Sequence, residues 1–345
     1  MERYHYVGLD VHKKMISFCV KKVDGTLVDE GVVRATRKDL TKWVATVPTP
    51  WVGGMEATLF TGWVYDFLLP HAHELKVGHS YMLRAICASK RKNDKLDARK
   101  ITDALRCDWF PACHMAPAGV RELRRVLRYR NFLVREATRM KNKTAGLLME
   151  TGAEYDKQRV HGTRYFDALL GRLEDIPDSV LDLLRLTHSN MKVFDSNQKK
   201  PLSALSRHPG LKKRVELLMT IQGVGETTAL TWALEIDDPG RFSSIKKAVS
   251  YCGFCSAQHE SAGKGHRGPL SKQRNKHLQT MLIEAAKLAP RWNPSLAWVY
   301  DKERSRGANK NQATLAVARK LVAYLLCVDK TGKPFERREA QKDLD

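Results

Sequence analysis

The sequence predicts an α/β chain: a mixed-sheet N-terminal domain, a helical coiled-coil middle and a mainly helical C-terminal unit. Three observations predict it. Apolar residues alternate with period two up to Val33, and strand and helix patterns then alternate. Apolar positions from Leu123 to Leu147 recur at heptad spacing. Two apolar helical stretches flank a glycine turn, Gln222-Gly223-Val224-Gly225. The boundaries expected from these shifts are residues 1–115, 116–212 (helices and a linker) and 213–345.

In the first region, Tyr6–Val11 and Ile16–Val20 read as strands, and Val23-Asp24-Gly25-Thr26 as the turn to a third strand ending at Val33. Thr36 is placed to cap a helix through Ala45. Trp51–Glu56 reads as a strand ending on a carboxylate, Thr58–Leu69 as a helix, Leu75–Val77 as a strand and Lys95–Arg106 as a helix. In the second region, Leu123, Val126, Arg130, Leu133, Ala137, Met140, Thr144 and Leu147 form an imperfect heptad seam. It suits either packing within the chain or a dimerising, nucleic-acid-tracking helix. Shorter helices are expected over Tyr165–Leu173 and Ser179–Leu186. The Ser-, Asn-, Lys- and Pro-rich stretch Thr187–Gly210 reads as a linker. The glycine turn of the third region presents backbone N–H groups beside a helix start, an expected phosphate cradle.

Charge points to a class of partner. The 345 residues carry 60 Lys+Arg against 38 Asp+Glu, a net charge of +22. The three regions contribute +5, +8 and +9, so the first is the least basic. Such a surplus favours a polyanion, above all nucleic acid. Mean hydropathy is −0.43, and no apolar run is long enough to cross a bilayer. The start, Met1-Glu2-Arg3-Tyr4-His5, leads directly into a strand pattern, so no signal peptide is expected. Seven irregularly spaced cysteines argue against a disulfide framework and for a reducing, cytoplasmic setting. Cys252 and Cys255, with His259 and His266 downstream, superficially match zinc spacing, but their apolar surroundings favour buried free thiols.

The least basic region holds the most suggestive carboxylates. Asp10 lies within a strand, where an unpaired carboxylate is costly. Glu56 ends another strand. Asp94 and Asp97, three apart, share one face of a helix. Singly, each suits a surface charge or a cap. Brought together they repel one another, and hard oxygen ligands of this kind favour Mg²⁺ or Mn²⁺. Two such ions activate a nucleophile and stabilise a leaving oxygen at phosphorus.

Strand-Asp, strand-Glu and helix DxxD, in this order, resemble an RNase H-like (RuvC-like) nuclease core. The motifs Gly8-Leu9-Asp10-Val11-His12-Lys13, Met55-Glu56-Ala57-Thr58 and Lys92-Asn93-Asp94-Lys95-Leu96-Asp97-Ala98-Arg99 narrow the resemblance to the DEDD transposases of insertion sequence family 110. The C-terminal region resembles that family's transposase domain in the same order. Its motifs are Ile221–Gly225, Glu235–Phe242, Ala248–Gly253, His259-Glu260-Ser261-Ala262-Gly263 and Gly268–Lys272.

The resemblance implies that Asp10, Glu56, Asp94 and Asp97 bind Mg²⁺ (or Mn²⁺), and that Ser261 is the nucleophile that joins covalently to DNA. Ser256 and Ser271 are the neighbouring alternatives, and Ser271 better suits a phosphate contact or a helix cap. It further implies a prokaryotic recombinase acting on donor and target DNA, a structured guide (bridge) RNA, and assembly of dimers into a tetramer. The nuclease-like domain of one subunit would then meet Ser261 of another. Three other functions are compatible with the same residues. One is a site-specific DNA invertase of the family. Another is a metal-dependent junction nuclease that uses no serine. The third is a basic RNA/DNA-binding protein without activity.

Overall fold

The computed structural model describes residues 4–86, 93–174, 176–261 and 264–336. Lys92, Ala262 and Gly263, singled out above, lie outside them. The chain divides into two compact units, Met1–Ala118 and Gly119–Asp345.

The first unit is built on a six-stranded mixed sheet. Its elements are β1 (His5–Val11), β2 (Met15–Lys21), β3 (Leu27–Arg34), α1 (Arg37–Val44), β4 (Trp51–Glu56), α2 (Thr61–Leu68), β5 (Glu74–Gly78), α3 (Ser80–Ile86), α4 (Asp94–Arg106) and β6 (Ala112–Cys113). The strand order is β3-β2-β1-β4-β5-β6. The first three strands form the expected antiparallel meander. β4 lies parallel to β1, and β5 parallel to β4. This order is consistent with an RNase H-like fold. Thr36 caps α1 by accepting from the Asp39 N–H, as the sequence predicts.

Residue parity decides what each face of the sheet carries. Val7, Leu9 and Val11 of β1, with Met55 of β4, belong to a core shared with Leu40 and Trp43 of α1 and Val64 and Leu68 of α2. The opposite face receives α4. There Gly8 and Gly54 leave room for the helix: a Cβ on Gly8 would meet the Ala98 carbonyl and Thr102, and one on Gly54 would press on Leu105. Thr102 Oγ1 also donates to the Cys19 carbonyl, at 3.1 Å. Arg99 grips both oxygens of Glu30 on β3, and Lys21 of β2 binds Asp103. Alpha-4 is therefore fixed across the sheet along most of its length.

The second unit contains α5 (Ala118–Glu150), α6 (Thr163–Leu170), α7 (Asp178–Asn197), α8 (Lys199–Ser206), α9 (Pro209–Met219), α10 (Glu226–Ile236), α11 (Ile245–Tyr251), the hairpin β7 (Ser256–Ser261) and β8 (Lys264–Leu270), α12 (Lys276–Leu288), α13 (Pro294–Ser305) and α14 (Lys310–Thr331). Its main core joins α9, α10, α12 and α14 around Trp232, Leu278, Leu282 and Leu321. No helix of the described residues is long and apolar enough to cross a membrane.

The expected linker Thr187–Gly210 is helical instead, spanning the second half of α7, all of α8 and the start of α9. Polar composition concealed a buried stripe, Leu184, Thr187, His188 and Met191, at helical spacing. Its prolines sit where a helix tolerates them: Pro201 in the first turn of α8 and Pro209 at the start of α9. This helical stretch also covers the heptad seam. Leu133, Ala137, Thr144 and Leu147 are buried. Thr144 bonds Thr187 at 3.0 Å, Lys141 pairs with Asp195, and Arg130 donates to Gln198. From Arg130 to Thr144 the seam is thus met by α7 and Gln198 just after it, while Leu123 and Val126 pack against the unit's main core.

A buried ion pair ties α5 to the rest of the unit. Glu235, fully buried, takes two 2.8 Å bonds from Arg128 and one of 2.9 Å from Asn275. Burial alone raises this carboxyl, but the Arg128 pair and the Asn275 amide outweigh it and hold the group below its ordinary value. The associated stability is therefore fully present above the unfolded carboxyl value and fades as pH falls through the lower, folded one. Arg128→Met strands the buried carboxylate and should cost about 2–3 kcal/mol at neutral pH, less than a wholly buried pair because Arg128 is half-exposed. In urea melts the loss should shrink as pH drops below the carboxylate range. An equal loss at every pH would show that packing, not the ion pair, is responsible.

Candidate metal centre and serine hairpin

The metal centre is assembled by parity and by the seating of α4. Asp10 follows Leu9 and Glu56 follows Met55, and Leu9 and Met55 are register partners in parallel strands. Asp10 and Glu56 are thus neighbours on the α4 face, at the C-terminal ends of their strands. Gly8 and Gly54, two residues earlier on the same face, let α4 lie close. The first turn of α4 carries Asp94 and Asp97. The helix cap is Asn93, which accepts from the Lys95 N–H at 3.0 Å. Asp94 is thereby spared the capping role.

Asp10, His12 and Asp94 each place a ligand atom within 4.8 Å of the others. His12 Nε2 lies 3.2 Å from Asp10 Oδ2 and 3.7 Å from Asp94 Oδ2. Glu56 and Asp97 flank this cluster without joining it at that spacing. Burial raises the Asp10 carboxyl; His12 offsets this in part, and Asp94 and Asp97 raise it further. A buried carboxylate crowded by two others is the situation that a divalent cation relieves, so the donor set fits a metal site. His12 was not among the carboxylates that the sequence singled out. Its signal was available: it stands two residues beyond Asp10, on the same side of an extended chain.

Ser261 lies at the tip of the other unit's hairpin. Beta-7 and β8 pair antiparallel, Ser261 opposite Lys264. The root is anchored by several bonds. Ser271 N–H donates to the Cys255 carbonyl, Arg319 to that of Phe254, and Gln279 to that of Gly253, the last at 2.7 Å. Gly253 needs its positive φ of 84° here, and a Cβ would strike Arg274. Ser256 begins β7, while Ser271 follows β8 and accepts from the Gln273 N–H. Cys252 is fully buried and its thiol is pushed up to about 12 by desolvation, the behaviour of an inert core thiol. In the glycine turn, Gly223 (φ +92°) packs so close to Ala289 that a Cβ would clash, and the Gln222 carbonyl accepts from Asn293.

Sheet, helix and acidic cluster are consistent with a DEDD-type transposase domain. The DEDD transposase model of the IS110 type, described as a transposase, matches residues 7–152. The model described as Transposase IS116/IS110/IS902 family matches residues 215–301. Both matches are to transposase models of the IS110 type, one in the N-terminal and one in the C-terminal part of the chain. The chain is 24% identical over 286 residues to the transposase for insertion sequence element IS1328 of Yersinia enterocolitica, covering 82% of this chain and 83% of that protein. A probable family 20 transposase of Pseudomonas aeruginosa is 25% identical over 64% of this chain and 68% of its own length. The pilin gene-inverting protein of Moraxella bovis is 28% identical over 38% of this chain and 41% of its own.

Proposed function

We propose that the chain cuts and rejoins DNA strands to move its own insertion sequence, using the carboxylate centre and Ser261 under the guidance of a structured RNA. The observation that carries the reading is the convergence of Asp10, His12 and Asp94 at one end of the sheet, with Glu56 and Asp97 beside them. Asp10, Glu56, Asp94 and Asp97 would hold Mg²⁺ or Mn²⁺, with His12 as a further donor. When bound, the ion supplies charge neutralisation at phosphorus and acidifies a nearby hydroxyl.

The serine has a defined task. Ser261 Oγ forms a bond to phosphorus while the bond to the departing strand's oxygen breaks, and the hydroxyl proton ends on that oxygen. One phosphoester replaces another, so the strand can be rejoined without outside energy. The partners proposed are donor and target DNA and the guide RNA, with dimers assembling into a tetramer that brings Ser261 of one subunit to the carboxylates of another. The surplus of positive charge suits such phosphate-rich partners. With pairing to RNA selecting the sites, few side chains need read bases.

Inversion of a fixed DNA segment is the second reading, supported by the likeness to the Moraxella pilin gene-inverting protein. Genomic context separates the two: an invertase gene adjoins an invertible segment, whereas a transposase gene lies inside a mobile element with a noncoding end. The centre itself is tested by calorimetry. Mn²⁺ binding should weaken in Glu56→Gln and in Asp97→Asn, and unchanged binding in both would remove these residues from the ligand set.

A further inference from the structure

The turn that leaves Glu56 is braced more heavily than its length requires. Thr61 Oγ1 donates to the Glu56 carbonyl at 2.7 Å and accepts from the Thr58 N–H at 2.7 Å. The Phe60 N–H reaches Thr58 Oγ1. Ala57 is bound on both sides: its N–H donates to the Gly78 carbonyl, and its own carbonyl accepts from Ser80 Oγ at 2.6 Å. At the tip of this rigid turn stands Leu59, 92% exposed. Tyr81, 59% exposed, follows Ser80 at the start of α3. An ordered loop that holds a leucine almost wholly in water, beside the carboxylates of a DNA-cutting enzyme, is a built feature without a partner inside its own unit.

We infer that Leu59 is a wedge that enters the base stack of the DNA next to the scissile phosphate, with Tyr81 offering a face on which a displaced base can rest. The inference rests on the reading of Asp10, Glu56 and Asp94 as the site of strand cutting. Leu59 stands three residues beyond Glu56, a reach of at most about 11 Å. That equals roughly three base steps of about 3.4 Å along a strand. Apolar side chains are the type that proteins insert between base steps. Exposed Lys13 and Lys14, in the turn after β1, and Lys95, in the first turn of α4, supply cations for the backbone at the same end of the sheet. A protein partner fits less well, because one projecting side chain is far smaller than a stable interface.

The test uses the full chain and a short duplex carrying the junction of its encoding element, with and without RNA transcribed from that element's noncoding end. Ca²⁺ replaces Mg²⁺ to keep the strands intact. Aminopurine is substituted one step at a time about the cut bond, and anisotropy of the same duplex reports binding. Fluorescence should rise at one step, vanish in Leu59→Ala and persist in Leu59→Met. With Mg²⁺, Leu59→Ala should cut roughly tenfold more slowly, as expected when the apolar wedge that holds the step open is removed. A mismatch at the unstacked step should restore its rate. Bound duplex with no fluorescence rise at any step, or the same rise in Leu59→Ala, overturns the wedge. So does an altered sedimentation of Leu59→Ala with the rise unchanged, which would make the surface a subunit contact. Full cutting by Asp94→Asn would refute the carboxylate reading instead, while the Ca²⁺ fluorescence still decides the role of Leu59.

Discussion

Ser261→Ala should bind DNA and RNA as the unaltered chain does, and cut strands at least about a thousandfold more slowly. The magnitude follows from the role proposed for the hydroxyl: no other atom of that side chain can form the bond to phosphorus. The position supports a local effect. Ser261 ends β7 at the tip of the hairpin, while the anchoring bonds lie at the root, on the carbonyls of Gly253, Phe254 and Cys255. Loss of one oxygen at the tip leaves those bonds in place, so the thermal midpoint should hold. Electrophoretic separation of cut strands measures the first effect and a melt the second. Ser256→Ala and Ser271→Ala serve as controls, because both residues sit near the root and neither should lower cutting to the same degree.

Asp94→Asn should remove metal-dependent cutting and weaken Mn²⁺ binding by at least about a hundredfold. Its effect on stability should have the opposite sign or be absent. Asp94 helps to raise the Asp10 carboxyl, so its charge is a burden on the metal-free fold. The cap of α4 is Asn93, which the substitution leaves untouched. Activity should therefore fall while the melting temperature of the metal-free chain stays level or rises. A residue whose role was to hold the fold would show the reverse. Isothermal titration with Mn²⁺ and a melt in chelator, run on the same preparation, separate the two cases.

Much of this architecture was legible in the sequence because local signals and burial agreed. Thr36 capped a helix where its hydroxyl could reach the Asp39 N–H. Alternation placed Asp10 within a strand and Glu56 at the end of another, and the spacing of Asp94 and Asp97 put both on one face of a helix; the structure sets Asp10 one residue from the end of β1 and both helical carboxylates in the first turn of α4. Where composition and periodicity disagreed, composition misled. Thr187–Gly210 looked like a linker because Ser, Asn and Lys dominate it, yet Thr187, His188 and Met191 bury one stripe, and two prolines fall in first turns. The heptad seam was correctly periodic, but periodicity does not say which helix covers it, and the covering helix lay in the stretch read as linker. His12 escaped notice for another reason. A histidine just past a strand end is chemically ambiguous even two residues from Asp10, because its second acidic neighbour, Asp94, comes from a helix more than eighty residues later in the chain. Leu59 is the same kind of case: its exposure is a property of the braced turn, which the sequence Ala57-Thr58-Leu59-Phe60 does not announce.

The most direct measurement is a trap. Protein, DNA carrying the element's junction, guide RNA and Mg²⁺ are incubated and denatured, the chain is digested, and peptides bearing nucleotide are identified by mass spectrometry. A nucleotide linked to the peptide containing Ser261, absent when Asp94 is Asn, is the expected result. Strand cutting and joining that proceed with no protein–DNA link, or a link on a peptide other than that of Ser261, would contradict the covalent serine mechanism and favour a nuclease that hydrolyses DNA at the carboxylates alone.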